Sequence, residues 1–350
     1  DRPLSTLYIG GGTPTVLTAD QLSNLVNHIF EHFNFIDDHE STIEANPGTL
    51  DRDKLISIRS AGINRISIGF QSFNNDELTF LGRIHTGSEA EEAVRLARNA
   101  GFKNIGIDLI YGIPGQDINS WKMTLEKAVS LRPEHISAYE LTVEKGTELH
   151  RLLSPPHPPL GKGGRRGGIF RPDEDNIIGM YEHTIDYLKA KGYLHYEISN
   201  FGLPGSFSRH NLNYWDRGDY YGAGAGAHSF VNNTRSYNTA DPDQYIKLVS
   251  EEKKPLKHSE EITTEKAISE AIFLGLRKTA GINIDAFSRR YNMNLPVLYD
   301  KEIHELQETG LVVTNVPVGR QAGSECSHET NIRLTQKGLL LSNEVFVRFI

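Results

Sequence analysis

The sequence predicts an α/β fold: a parallel sheet with helices outside it, of β/α-barrel type, followed by a smaller and mostly helical domain. Three observations predict it. Short apolar runs alternate with helical patterns through residues 1–254, and one run after another ends in polar residues. From about Pro255 the apolar spacing becomes helical.

The apolar runs are Thr6–Ile9, Ser41–Glu44, Arg65–Phe70, Ile105–Tyr111, His135–Leu141 and Leu194–Ile198. The first ends in three consecutive glycines, Gly10, Gly11 and Gly12, then Thr13 and Pro14. Glycine lets the chain turn tightly and bring its N–H groups against a ligand. A plain strand-to-helix turn explains three glycines equally well. The dinucleotide pattern G-x-G-x-x-G is excluded, because Thr15 stands where its last glycine belongs. The first helix is announced by Thr18 with Gln21, a capping box, and by Leu22, Leu25, Val26, Ile29, Phe30 and Phe33 on one face. Ser88 with Glu91 repeats the signal for a helix that stops at Gly101. Leu125, Ala128, Val129 and Leu131 mark a helix that closes before Pro133, and Ile177 to Leu188 mark one that ends at Gly192.

At the carboxyl end of each run stand Gly10–Thr13, Glu44 with Asn46, Gln71 with Ser72, Asp108 with Tyr111, Glu140 with Thr142, and Glu197 with Asn200. Carboxylates and amides are costly to bury without partners, so the series predicts one wet, concave rim. In a β/α barrel that rim carries the site; a doubly wound open sheet would gather the residues at one crevice instead.

Composition bounds the function. The 350 residues carry 37 basic and 45 acidic side chains, net charge −8, which argues against nucleic acid as the main partner. No apolar run reaches the ~20 residues of a membrane span, and no secretory signal is expected ahead of the first strand. The single cysteine, Cys326, rules out an internal disulfide framework and fits a reducing cytoplasm. Asp1 in place of an initial Met predicts a fragment or a processed chain. Residues 154–168, rich in Pro and Gly, read as an inserted surface loop, and Gly319–Thr330 as a second polar loop.

The expected division is 1–254 for the barrel and 255–350 for the terminal domain. In the latter, Ala267 to Leu276 form a helix face, Gly281 a turn, Leu298–Leu306 a second helix, and Leu311–Thr314 with Asn331–Leu334 a hairpin before a helix opened by Thr335. Helices followed by a small hairpin resemble a winged helix, taken here as a packing or lid domain. Residues 193–230 are dense in aromatics and include His195, His210 and His228. Flat aromatic walls with imidazole nearby suit a flat, metal-bearing ligand such as a porphyrin. The same rings could simply pack against the barrel's end, with His210 capping a turn.

LYIGGGTPT, TIEANP, SIGFQSF, LGRIHT, DLIYGIPGQ, HYEISNF, HNLNYW and YGAGAGAHS, in this order, resemble the radical S-adenosylmethionine (SAM) superfamily, and within it the coproporphyrinogen III oxidase-like branch. HNLNYW resembles the signature that separates the heme chaperones of that branch from its true oxidases. The resemblance implies a partial, open β/α barrel and a terminal domain of the same branch. It implies SAM held by Gly11, Gly12 and Thr13, with Glu44 as the acidic contact and Gln71, Arg83 and Asp108 lining the pocket. It implies heme at His210, a candidate iron ligand, with Asn211, Tyr214 and Trp215 associated. The implied activity is heme binding and transfer to an acceptor protein, by a monomer or dimer. The alternative is a radical SAM enzyme that decarboxylates porphyrinogen propionates.

The chain departs from the branch in one respect. The branch places three cysteines, C-x-x-x-C-x-x-C, after the strand that precedes the glycine turn, and this sequence begins beyond that point. A [4Fe–4S] cluster needs thiolates, so this chain is expected to lack the cluster and its full-length form to bind it, and the barrel here to lack its first strand.

Overall fold

The computed structural model describes residues 2–153, 171–315 and 330–350. The Pro/Gly-rich run 154–168, and residues 319–329 with Cys326, lie outside the described residues. The chain forms two compact units: Asp1–His195 with Ser199–His210, and Tyr196–Ile198 with Asn211–Ile350.

The first unit is built on a curled half-barrel sheet. The strands of the sheet are β1 (Leu4–Ile9), β2 (Phe35–Ala45), β3 (Arg65–Gln71), β4 (Asn104–Tyr111), β5 (His135–Glu140), β6 (Leu194–Glu197) and β7 (Asn200–Gly202), in the order β1-β2-β3-β4-β5-β7-β6, with Tyr196 and Glu197 of β6 counted in the second unit. β1 to β5 pair in parallel, as the strand–helix alternation predicted. Helices α1 (Ala19–His32), α2 (Arg52–Ser60), α3 (Asn75–Phe80), α4 (Gly87–Asn99), α5 (Ile118–Ser130), α6 (Glu148–Leu153) and α7 (Glu174–Ala190) follow in chain order.

Side chains alternate between the two faces of a strand, and here the two faces differ in kind. Ile43, Ile66, Ile68, Ile105, Ile107, Leu109 and Ile136 lie on one face with no exposed surface. Leu22 and Val26 of α1, Leu55 and Ile58 of α2, Ala90 and Ala97 of α4, and Trp121 and Leu125 of α5 are equally buried. Each large aliphatic side chain so buried stabilises the unit by roughly 1.5–3 kcal/mol. The opposite face is mostly polar, and it holds the site described below.

The structure corrects the sequence reading in several places. β2 starts at Phe35, six residues early, because Asp37, Asp38 and His39 hide its apolar pattern. β7 is antiparallel to β5 and separates it from β6. Three residues are too few for periodicity to reveal. The capping box of α4 is Thr86 with Glu89; Ser88 falls inside the first turn. The HNLNYW motif is helical: Arg209–Trp215 is α8.

The second unit contains β8 (His228–Val231), β9 (Thr234–Asn238) and β10 (Leu256–Glu261), an antiparallel sheet in the order β10-β9-β8. β10 stands where helical pattern was expected. Its residues are largely exposed, so backbone pairing rather than burial makes it a strand. α9 (Pro242–Ser250) joins β9 to β10, and α10 (Thr264–Arg277) carries the expected Ala267 to Leu276 face. β11 (Ile282–Asn283), α11 (Ile284–Tyr291), α12 (Leu295–Leu298) and α13 (Asp300–Glu308) follow. The expected helix near 298–306 is thus two helices, broken at Tyr299. β12 (Val312–Asn315) and β13 (Asn331–Leu334) form the expected hairpin, with β11 on the other side of β13. Ile268, Ile272, Leu276, Phe287, Leu306, Ile332 and Val345 are its core.

Candidate functional site

Register aligns the polar face row by row. Thr6 lies beside Glu40; Tyr8 beside Thr42, Arg65 and Asn104; Glu44 beside Ser67, Gly106 and His135; Gly69 beside Asp108 and Ser137. In β3 the sequence RISIGFQ thus sends Arg65, Ser67 and Gly69 to the site and Ile66, Ile68 and Phe70 to the core.

The glycine turn and Glu44 meet directly. Gly11 and Gly12 have φ of +86° and +146°, and a side chain on either would project into open space. Gly10 is the reverse. A Cβ there would stand 2.8 Å from the Glu44 carboxyl group and 2.8 Å from the Tyr8 ring. The Gly11 N–H donates to the Glu44 carboxylate, and the Tyr8 hydroxyl donates to it at 2.8 Å. The far side of the turn is pinned to the end of β2. Thr15 and Thr49 hydroxyls are 2.5 Å apart, and Lys54 Nζ donates to both Thr15 and Thr49 carbonyls at 2.6 and 2.9 Å.

Asp108 accepts from Ser67 at 2.9 Å and from Ser137. The Gln71 amide folds back over Gly69, so it lies on the same face. Arg83 sits in the segment between α3 and α4, half-buried, and its Nε has no hydrogen-bond partner among the described residues. Burial lowers its pKa. Thr13 opens a short 3-10 turn at Pro14–Val16 without a side-chain cap.

His210 stands against β1. Its Nδ1 is 2.9 Å from the Thr6 hydroxyl, and its ring stacks on Tyr8 with centroids 4.8 Å apart and planes inclined 18°. The backbone N–H groups of Arg209 and His210 both donate to Glu40 at 3.1 Å, so one carboxylate caps the first turn of α8.

Burial governs the charges. It raises the Glu44 pKa, with the Asp108 charge adding to it, while the Tyr8 and Gly11 hydrogen bonds oppose. It raises Asp108 against the serine hydrogen bonds and Arg65, and it raises Tyr8. Burial and the Arg65 guanidinium lower His210 to about 4 and push His135 well below its ordinary value. Both imidazoles are therefore neutral at neutral pH. The Thr42 Oγ1 and Arg65 Nε atoms are buried here without hydrogen-bond partners among the described residues.

The remaining expected residues lie in the second unit. Tyr214 meets the Tyr220 ring edge-on at 4.6 Å. Trp215 lies under the Arg277 guanidinium at 4.3 Å, and Arg277 is 3.9 Å from Glu197. Asn211 is on α8, half-buried. Glu197, expected on the rim, thus has an arginine of its own unit as a partner. Sequence reasoning missed Thr6, Tyr8, Glu40, Arg65, Ser67, His135 and Ser137. Alternation along RISIGFQ, NIGIDL and HISA was the signal for most of them.

The chemistry of this face is that of a polar surface beside an exposed glycine turn, with two carboxylates of raised pKa and neutral imidazoles. Open space before Gly11 and Gly12, with Glu44 behind them, fits an amino-acid-bearing ligand such as SAM. A neutral imidazole fits heme iron. A thiolate-bound [4Fe–4S] cluster does not fit the residues present, since Cys326 is the chain's single cysteine.

Comparison with known proteins agrees with this geometry. Residues 1–128 match the Radical SAM superfamily and residues 262–315 the HemN C-terminal domain. The heme chaperone HemW of Bacillus subtilis is 37% identical over 99% of this chain and 86% of its own length. HemW of Lactococcus lactis is 38% identical over 99% and 85%. Among solved structures, the radical SAM coproporphyrinogen III oxidase HemN of Escherichia coli superposes with a TM-score of 0.79 at 23% identity, covering 99% of this chain and 78% of that one. That likeness supports the half-barrel and its C-terminal companion as a fold. The chain belongs to the radical SAM superfamily, in the HemN-like branch that includes the heme chaperone HemW.

Proposed function

We propose that this protein is a heme chaperone that binds SAM and heme and hands heme to an acceptor protein. One observation carries the reading: Tyr8 joins the two halves of the site. Its hydroxyl holds Glu44 at the glycine turn and its ring carries His210. Gly11, Gly12 and Thr13 present the backbone to the methionyl end of SAM, and Glu44 receives its ammonium group. Gln71, Arg83 and Asp108 line the rest of that pocket. Arg83, with one guanidinium nitrogen lacking a partner among the described residues, is suited to a ligand carboxylate. His210 is the iron ligand, supplied in the neutral form that coordination requires. Asn211, Tyr214 and Trp215 follow it along α8. HemW relatives aligned over nearly the whole chain favour a chaperone over an oxidase. When bound, SAM and heme supply the sulfonium and the iron; this chain's residues bind, orient and keep the ligating nitrogen unprotonated.

Heme titration followed in the Soret band tests the reading. The wild-type chain is expected to give a shifted, saturable band that His210→Ala loses. An unchanged spectrum in the variant would refute the assignment of His210.

A further inference from the structure

Gln71 ends β3 with φ of +66°, in the left-handed region that glycine ordinarily occupies. The Ser72 N–H donates to the Phe70 carbonyl at 2.8 Å, so Phe70, Gln71 and Ser72 form a γ-turn of the rare, strained hand. Such an outlier persists only where its surroundings over-determine it. Here they do. The Phe70 carbonyl also accepts from His85 Nε2 at 3.2 Å. Ser72 Oγ donates to the buried Glu77 carboxylate at 2.5 Å. The same carboxylate accepts from Gln116 Nε2 at 2.9 Å and from Ser120 Oγ. Gln116 Oε1 in turn takes the Gly112 N–H at 2.9 Å, just past the end of β4. One carboxylate thus ties the end of β3 to the end of β4.

We infer that Glu77 is a positioning residue: it clamps the γ-turn at Gln71 and so holds the Gln71 amide over Gly69, on the face where the ligand lies. In an ordinary extended strand Gln71, two residues beyond Gly69, would continue the same row toward solvent. The turn folds the amide back instead, to where a Cβ on Gly69 would meet its nitrogen at 2.7 Å. The strain is local, and it is offset by a buried hydrogen-bond network. That the amide serves SAM rests on the proposed function; that Glu77 holds the turn does not.

The test is a stability cycle with a binding arm, on the 350-residue chain. Gln71→Gly is expected to raise the Tm by roughly 2–4 °C, because glycine adopts this φ freely. In a Glu77→Met background the gain should vanish, since the released turn no longer strains Gln71. An equal gain in both backgrounds overturns the proposal. If Glu77→Met does not fold, Ser72→Ala cuts the same link and takes its place in the cycle. In the binding arm SAM is titrated calorimetrically well below every Tm. Glu77→Met should weaken binding by about tenfold or more, while Glu77→Gln, whose amide oxygen still accepts from Ser72 and Gln116, should stay within about threefold. Wild-type affinity in Glu77→Met would make Glu77 purely structural and overturn its positioning role. Absence of SAM binding in the wild type would instead refute the SAM reading, and the stability cycle would still decide whether Glu77 holds the turn.

Discussion

Tyr8 and His210 lie nearly face to face, 4.8 Å between ring centroids and 18° between planes, and the Tyr8 hydroxyl reaches on to Glu44 at 2.8 Å. One side chain therefore touches both Glu44, beside the glycine turn, and His210. Tyr8→Phe keeps the stack and removes the hydroxyl; it is expected to cost about 1 kcal/mol of stability and to raise the Glu44 pKa further. Tyr8→Leu should also lower heme affinity by loosening His210. Chemical denaturation and a Soret titration of both variants check this, and equal heme affinity in Tyr8→Leu would sink the coupling.

Gly10 and Gly11 are expected to fail differently. Gly10→Ala drives a methyl group into Glu44 and Tyr8, both 2.8 Å away, with overpacking of about 1–3 kcal/mol. Gly11→Ala meets open space, but its φ of +86° costs about 1 kcal/mol in any L residue. Urea unfolding of the two variants should rank Gly10→Ala as the more damaging. The reverse order would mean that the turn does not press on Glu44.

Acid should weaken the fold through its buried imidazoles. A histidine whose folded pKa lies below its unfolded value binds its proton first in the unfolded chain, so stability falls as pH drops from the unfolded value toward the folded one. For His210 that window runs from 6.5 to about 4, with an upper limit of about 3 kcal/mol. His135 acts in the same direction. Glu44 and Asp108, both raised, oppose it, because their folded forms accept protons first. The informative quantity is thus the difference between wild type and His210→Asn across this window. The wild-type advantage should shrink as pH falls, and a constant difference would contradict the buried neutral state.

Iron and sulfide analysis after anaerobic reconstitution should find no stoichiometric [4Fe–4S] cluster on this 350-residue chain, which offers one thiolate. A full cluster per chain would overturn that expectation.

How much of this could be read from the residues differs by position. Gly11 and Glu44 were legible because they stand just past or at a strand's carboxyl end, and Asp108, inside β4, because a carboxylate there interrupts an apolar run. Thr6 lies within β1, and Arg65 and His135 open β3 and β5, so a reading confined to the carboxyl ends of strands passes over them. Their alternation with isoleucine was visible in RISIGFQ. β7 and β10 were not legible, since one is three residues long and the other buries almost nothing. The stack of His210 on Tyr8 joins residues 202 positions apart in sequence (210 − 8), and no local pattern encodes it.

The most direct test of the central claim, that the glycine turn and Glu44 form a SAM site, is calorimetric titration of SAM into wild type and Glu44→Ala. Saturable binding that weakens by about tenfold or more in the variant is the expected result, the loss of one charge-assisted contact. Equal affinity in the two proteins would contradict the account.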